Sequence, residues 1–161
     1  MTEGKILVAE KHGIYLLKLS GDVRVTLCAS ISDYIHKIFT CGDALEVYVD
    51  LLDAECIDST TLGLLAKLAI YTQEQFGIRT RLLCVSKDIL RVFEAMDIDG
   101  LFDILGLPEK LELSPVEVVP NPLDEASVRQ QVLEAHQLLV KLNPSLTAEF
   151  FDLITSLECL D

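Results

Sequence analysis

The sequence predicts an α/β fold, in which a mixed sheet of four to five strands is covered by helices and followed by a C-terminal helical hairpin. Residues 47–51 form an almost continuous apolar run with β-branched and aromatic members, which is typical of a strand buried on both faces. From Ser59 onward apolar residues recur at spacings of three and four, which indicates a largely apolar helix. Two further segments after residue 123 show the same helical spacing.

The first part of the chain reads as a hairpin followed by a helix. Apolar runs at residues 6–9 and 14–19 are separated by the turn-forming residues 10–13, which predicts two paired strands. In residues 26–39 apolar side chains again fall three and four positions apart, which predicts an amphipathic helix. Gly42 is suited to the left-handed position that ends a helix.

The middle of the chain alternates strands and helices. The strand at residues 47–51 leads through a polar connection to the helix that begins near Ser59 and ends at Gly77. A further apolar strand covers residues 80–85, and Ser86 is a favourable N-cap for a helix that runs to about Met96. The order of these elements implies a mixed sheet covered by helices.

The C-terminal part is predicted to be separate from this domain. Residues 112–123 contain three prolines and read as a linker between a domain at residues 1–111 and a helical hairpin at residues 124–161. Asn143 and Pro144 mark the start of the second helix, as N-cap and first helical residue. The hairpin either folds back on the domain or offers its apolar face to a second copy or to another partner.

The charge balance excludes several classes of function. Thirteen basic and twenty-six acidic residues give a formal charge of −13, which argues against binding to nucleic acids or to anionic membrane surfaces. No apolar run reaches the roughly 18 residues of a membrane-spanning helix, and the N-terminus lacks a signal-peptide pattern. We therefore expect a cytoplasmic protein that attracts basic protein partners.

The sequence suggests neither an enzyme nor a metal or cofactor site. Its five cysteines include no C-x-x-C pair, and its three histidines are isolated in sequence. No glycine-rich phosphate loop is present, and no nucleophile has a recognisable histidine and acid pattern around it. We therefore predict no catalytic residues, no metal ligands and no cofactor.

Residues 58–61 carry the most informative local chemistry. Asp, Ser and Thr are preferred N-cap residues, so Asp58, Ser59, Thr60 and Thr61 are explained by helix capping alone. A hydroxyl at such a junction is also an exposed position for a phosphate, which would face free N–H groups and the positive end of the helix dipole.

The stretch as a whole resembles the signature of STAS domains, the anti-sigma-factor antagonists. That signature is an apolar strand ending in Asp-Leu, a short loop, and then Asp-Ser-Ser/Thr-Gly-Leu-Gly. The matching residues here are Val49, Asp50 and Leu51, then Ile57, Asp58, Ser59, Thr60, Thr61, Leu62 and Gly63. The resemblance covers roughly residues 5–110 and implies that a partner kinase phosphorylates Ser59, with Thr60 and Thr61 as alternatives because Thr61 replaces the usual Gly.

The resemblance also implies a function and a binding surface. A STAS antagonist binds an anti-sigma factor, often a serine kinase, and so releases a sigma factor; phosphorylation ends the binding and a phosphatase restores it. The implied partner-binding residues are Asp22, Arg24, Asp58, Ser59, Thr60, Thr61 and Leu62. Arg24 replaces an acid usual in the family, and it either contacts a phosphate on Ser59 or is simply solvated. The alternative function is a non-switching scaffold or small-ligand-binding module in which Ser59 only caps a helix.

Overall fold

The computed structural model describes residues 2–107, 111–120 and 122–159. Its strands are β1 (Lys5–Lys11), β2 (Ile14–Val23), β3 (Glu46–Asp50), β4 (Ala54–Ile57), β5 (Thr80–Leu83), β6 (Phe102–Leu105) and β7 (Val116–Val118). Its α-helices are α1 (Cys28–Cys41), α2 (Ser59–Phe76), α3 (Lys87–Ala95), α4 (Glu125–Leu142) and α5 (Thr147–Glu158). Short 3-10 turns precede α1, β6 and α5.

The strands form one mixed sheet in the order β6-β5-β3-β2-β1-β7, with β4 paired to the end of β2. β2 pairs antiparallel with β1 and parallel with both β3 and β4. The register of β2 against β4 shifts between Gly21 and Asp22. Gly21 has φ +71°, and a Cβ there would lie 2.5 Å from the carbonyl oxygen of Glu3. The change of partner from β3 to β4 along β2 therefore depends on a glycine.

The predicted mixed α/β fold is confirmed, but the described residues form a sheet of seven strands instead of four to five. The residues of β4 were predicted to be part of a polar connection. The strand is only four residues long and is only partly buried, so its sequence has no clear apolar pattern. β7 lies in the segment predicted as a proline-rich linker, where residues 116–118 pair with β1. Both strands depend on a partner distant in sequence, which local patterns do not reveal. The division of the chain at residues 111 and 123 stays a prediction, and its segments include Met1, 108–110, Asn121 and 160–161, which lie outside the described residues.

Several local signals proved sufficient to place helix ends. Gly42 and Gly77 end α1 and α2 in the left-handed conformation, with φ of 82° and 69°. The Ser86 hydroxyl accepts a hydrogen bond from the backbone N–H of Ile89 and caps α3. Asn143 accepts from the N–H of Ser145 and caps a 3-10 turn that begins at Pro144, as predicted, but the α-helix itself begins three residues later, at Thr147.

The C-terminal helices fold back onto the domain. Ala135, Leu139, Leu146 and Phe150 are buried, and the last three belong to the same hydrophobic core as α2 and the sheet. α4 packs along α2, and α5 packs on α4. Phe151 lies on the other side of α5 and is exposed. Of the two alternatives for the hairpin, the structure shows the one in which it folds back and buries Leu139, Leu146 and Phe150 in the core of its own domain.

Candidate functional site

The β4–α2 junction, which carries the predicted site, lies beside the end of β2. The backbone N–H of Asp58 donates to the carbonyl oxygen of Val23 across 3.1 Å, which fixes the chain just before α2 begins. The Asp58 carboxylate then accepts from the N–H of Thr61 at 2.9 Å. Asp58 is therefore the N-cap of α2, and Ser59 is the first residue inside the helix.

The Ser59 hydroxyl has a partner that the sequence does not suggest. Its Oγ lies 2.7 Å from Nε2 of His136 on α4, 77 residues further along the chain. The other ring nitrogen, Nδ1, lies 2.7 Å from the carbonyl oxygen of Val132. Ser59 is half-buried, whereas the imidazole ring is almost fully buried.

The two alternative phosphoacceptors are much less accessible than Ser59. Thr60 is 4% exposed and Thr61 is fully buried. The Thr61 hydroxyl oxygen has no hydrogen-bond partner among the residues that the structure describes. A phosphate on either threonine would have to enter the packed side of α2, so the helix geometry favours Ser59 among the three.

Asp22 and Arg24 lie at the end of β2, beside β4. The Nε atom of Arg24 donates to Asp22 Oδ2 at 2.6 Å, and the Cys56 thiol donates to Asp22 Oδ1 at 2.6 Å. These interactions, first the thiol hydrogen bond and then the guanidinium, hold the pKa of the Asp22 carboxyl below its ordinary value. Arg24 is exposed and pairs with Asp22, on the same edge of the domain as Asp58.

Leu62 closes the floor of a small apolar cleft next to this pair. The cleft has a volume of about 110 Å³ and lies between β4 and α3. Its walls are Glu55, Cys56, Ile57, Asp88, Ile89 and Val92. Val92 is 37% exposed, so the rim of the cleft is open to a partner.

The structure thus brings the predicted residues to one edge of the domain, but not in equivalent settings. Asp58 and Ser59 are partly accessible, Asp22 and Arg24 form a pair beside them, and Leu62 is buried beneath. His136 was missed. A signal existed, since this polar residue follows Ala135 on a helix whose Val128 and Leu139 pack into the core, but its contact with Ser59 is not local.

The described residues contain no group of three or more His, Cys, Asp or Glu side chains that could hold a metal ion. Within the same residues, no helix has the length and apolarity needed to cross a membrane.

Comparison with known families agrees with this geometry. A sequence model of the STAS domain family matches residues 5–115, and the chain belongs to that family. No curated protein matches the sequence significantly.

Two solved structures share the fold. One is the NMR structure of the protein TM1081, with a TM-score of 0.54 and 16% identity over 62% of this chain and 78% of that one. The other is the Bacillus cell fate determinant SpoIIAA in its phosphorylated form, with a TM-score of 0.52 and 18% identity over 64% of this chain and 92% of that one.

Proposed function

We propose that this protein is an anti-sigma factor antagonist that is switched by phosphorylation of Ser59. In the unphosphorylated form it binds an anti-sigma factor with serine kinase activity in the cytoplasm and so releases a sigma factor. In the phosphorylated form it does not bind, and a phosphatase restores the first state. Its role is to bind and regulate, without catalysing a reaction itself.

The observation that carries this proposal is the setting of the Ser59 hydroxyl. Ser59 is the only one of residues 59–61 that is not buried. It stands in the first turn of an 18-residue helix, where free N–H groups and the helix dipole favour an anion. The family membership and the likeness to SpoIIAA, whose structure was determined in a phosphorylated form, support the same reading.

The docking surface that we propose is the edge formed by Asp22, Arg24, Asp58 and the apolar cleft above Leu62. Its apolar floor is small and its rim is charged, as in many transient protein interfaces. The formal charge of −13 favours a partner with a basic surface.

Phosphorylation would change this surface mainly by charge and bulk. The kinase transfers the γ-phosphoryl group of a nucleoside triphosphate: a P–O bond forms to Ser59 Oγ, the bond to the β-phosphate oxygen breaks, and the hydroxyl proton is lost. The product adds about −1.5 to −2 charges at neutral pH, close to Asp22 and Asp58. A basic partner surface fitted to the smaller hydroxyl would then meet a group that obstructs it sterically.

A second function, a scaffold that does not switch, is favoured by one observation. Because Ser59 holds His136 through a hydrogen bond, it has a structural role even without phosphorylation. The cap of α2 is not that role, since Asp58 provides it.

A comparative pull-down from native lysate separates the two functions. The baits are wild type, the protein with phosphoserine at position 59, Ser59→Ala, and His136→Ala. The last variant loses the same hydrogen bond without changing residue 59, so it controls for the structural role.

We expect one partner to bind wild type and both alanine variants and to be lost from the phosphoserine form. Recovery of the same proteins by all four baits would overturn the switch and leave the scaffold. Circular dichroism on each bait shows that the fold is kept.

A further inference from the structure

The C-terminal hairpin contacts the proposed phosphorylation site directly. α4 packs along α2, and its His136 is 2% exposed with Nε2 2.7 Å from Ser59 Oγ. Ser59, the residue expected to be phosphorylated, is therefore also part of the interface between the domain and its last two helices.

The hydrogen bonds of His136 define the closed state, in which α4 and α5 are packed on the domain. The Val132 carbonyl oxygen can only accept, so Nδ1 carries a proton and donates to it. In the neutral ring Nε2 then has a free lone pair, and the Ser59 hydroxyl donates to it. A phosphoester at Ser59 has no hydrogen left to donate through Oγ.

α2 and α4 pack closely beside this bond. A Cβ added to Gly63, one turn along α2, would lie 2.6 Å from both the Cβ and the carbonyl oxygen of Ala135. On its other side the His136 ring is covered by Phe150 of α5, with ring centroids 4.8 Å apart in an edge-to-face arrangement. His136 is thus held between α2 and α5, and a displacement of its ring moves both C-terminal helices.

The charge of the hairpin also disfavours an added anion. Between residues 124 and 161 there are seven acidic residues (Asp124, Glu125, Glu134, Glu149, Asp152, Glu158 and Asp161) and two basic ones (Arg129 and Lys141). A phosphate on Ser59 would add negative charge to a chain whose C-terminal segment already has a formal net charge of −5.

We propose that the hairpin responds to the state of Ser59: the hydroxyl holds α4 and α5 on the domain, and phosphorylation releases them. Release uncovers the side of α2 around Gly63 and the inner face of α4 around Ala135 and Leu139, which are buried in the closed form. Phosphorylation would then have two effects, one on each side of residue 59. It blocks the edge formed by Asp22 and Asp58, and it opens a second, apolar surface. This inference depends on the proposed function only in that Ser59 is the phosphorylated residue.

Hydrogen–deuterium exchange on the full chain, without any partner, tests this inference. Phosphoserine is placed at position 59 in one sample and at position 127 in a matched control, since Ser127 is an exposed residue of the same helix α4. A third sample, unphosphorylated Gly63→Leu, should separate the two helices by steric bulk alone.

We expect phosphoserine at position 59 to speed amide exchange in α4 and α5 by roughly tenfold or more, with little change in β1–β6. Gly63→Leu should show the same pattern, and phosphoserine at position 127 should not. Protection of β1–β6 in every sample shows that the domain is folded.

Unchanged or slower exchange in α4 and α5 with phosphoserine at position 59 would overturn the inference. The phosphate would then point into solvent or pair with a protonated His136. This result is distinguishable from failure of the proposed function. If the phosphorylated protein loses its partner while the hairpin stays closed, only the inference about the hairpin is wrong. If the hairpin opens while the partner still binds, only the proposed switch is wrong.

Discussion

Thr61 and Thr72 are both fully buried on α2, but their hydroxyl groups differ in hydrogen bonding. Thr72 Oγ1 donates to the carbonyl oxygen of Leu68 at 2.7 Å. Thr61 Oγ1 has no hydrogen-bond partner within the described part of the chain. Burial of a polar group without a hydrogen bond lowers stability, so Thr61 is retained at a cost to the fold.

Replacement of each threonine by valine, which has nearly the same shape, should have opposite effects. Thr61→Val removes an unpaired hydroxyl and should raise the free energy of unfolding by about 1 kcal/mol. Thr72→Val removes a satisfied hydrogen bond and should lower it by about 1 kcal/mol. Urea unfolding followed by circular dichroism measures both. A loss of stability in Thr61→Val similar to that in Thr72→Val would show that the Thr61 hydroxyl has a partner after all.

The Asp22–Cys56 pair gives a prediction about thiol reactivity. The hydrogen bond to the Asp22 carboxylate raises the pKa of the Cys56 thiol, with burial and the negative charge acting in the same direction. Thiolate is the reactive form, so Asp22→Asn should lower this pKa and speed alkylation of Cys56 at pH 8. Mass spectrometry after a short iodoacetamide pulse measures the rate, and the exposed Cys41 and Cys159 serve as internal controls. An equal or slower rate at Cys56 in the variant would contradict this account.

The same pair has a definite pH dependence. Because the Asp22 pKa is lowered in the folded protein, its contribution to stability is present above the ordinary carboxyl pKa. That contribution is lost as the pH falls through the lowered value. The lowered pKa of Asp22 therefore makes the folded protein more stable at neutral pH than at acid pH.

At the scale of elements, the site depends on a close contact between α2 and α4. It is possible because Gly63 has no side chain where Ala135 lies against it. Gly100, in the 3-10 turn before β6, is a suitable comparison, since a Cβ there would meet nothing within 4 Å.

Gly63→Ala should destabilise the protein, whereas Gly100→Ala should change little. An added methyl group in a packed interface costs about 1–3 kcal/mol, which exceeds the helix-propensity gain of about 1 kcal/mol for alanine over glycine. Gly100→Ala should stay within about 0.5 kcal/mol of wild type. Chemical unfolding of both variants tests this, and equal stability of the two would show that α4 does not approach α2 so closely.

The elements that the sequence predicts correctly are those with local causes. Asp58 and Ser86 accept from backbone N–H groups three residues on, and Gly42 supplies a left-handed helix end. β4 and β7 depend instead on pairing with β2 and β1, which are distant in sequence. Their own residues are too few and too exposed for a clear pattern.

At the scale of the whole molecule, the family could be predicted from residues 49–63 because strand, loop and helix start are contiguous there. The partner of Ser59 could not. Ser59 and His136 are 77 positions apart, and the residues between them contain no pattern that fixes where α4 lies. Only the tertiary packing of α4 on α2 makes the two side chains neighbours.

The strand β7 has a consequence for any molecule that competes with the hairpin. Because residues 116–118 are held on β1, only six residues separate the sheet from the start of α4 at Glu125. A tether this short keeps the detached helices near their binding site at an effective concentration in the millimolar range. A separate peptide copying α4 and α5 would have to reach that range to replace them, so closure is strongly favoured over exchange with other molecules. A covalent change at the contact between Ser59 and His136 alters the affinity of the hairpin for the domain. Such a change can keep the hairpin detached without a competitor at high concentration.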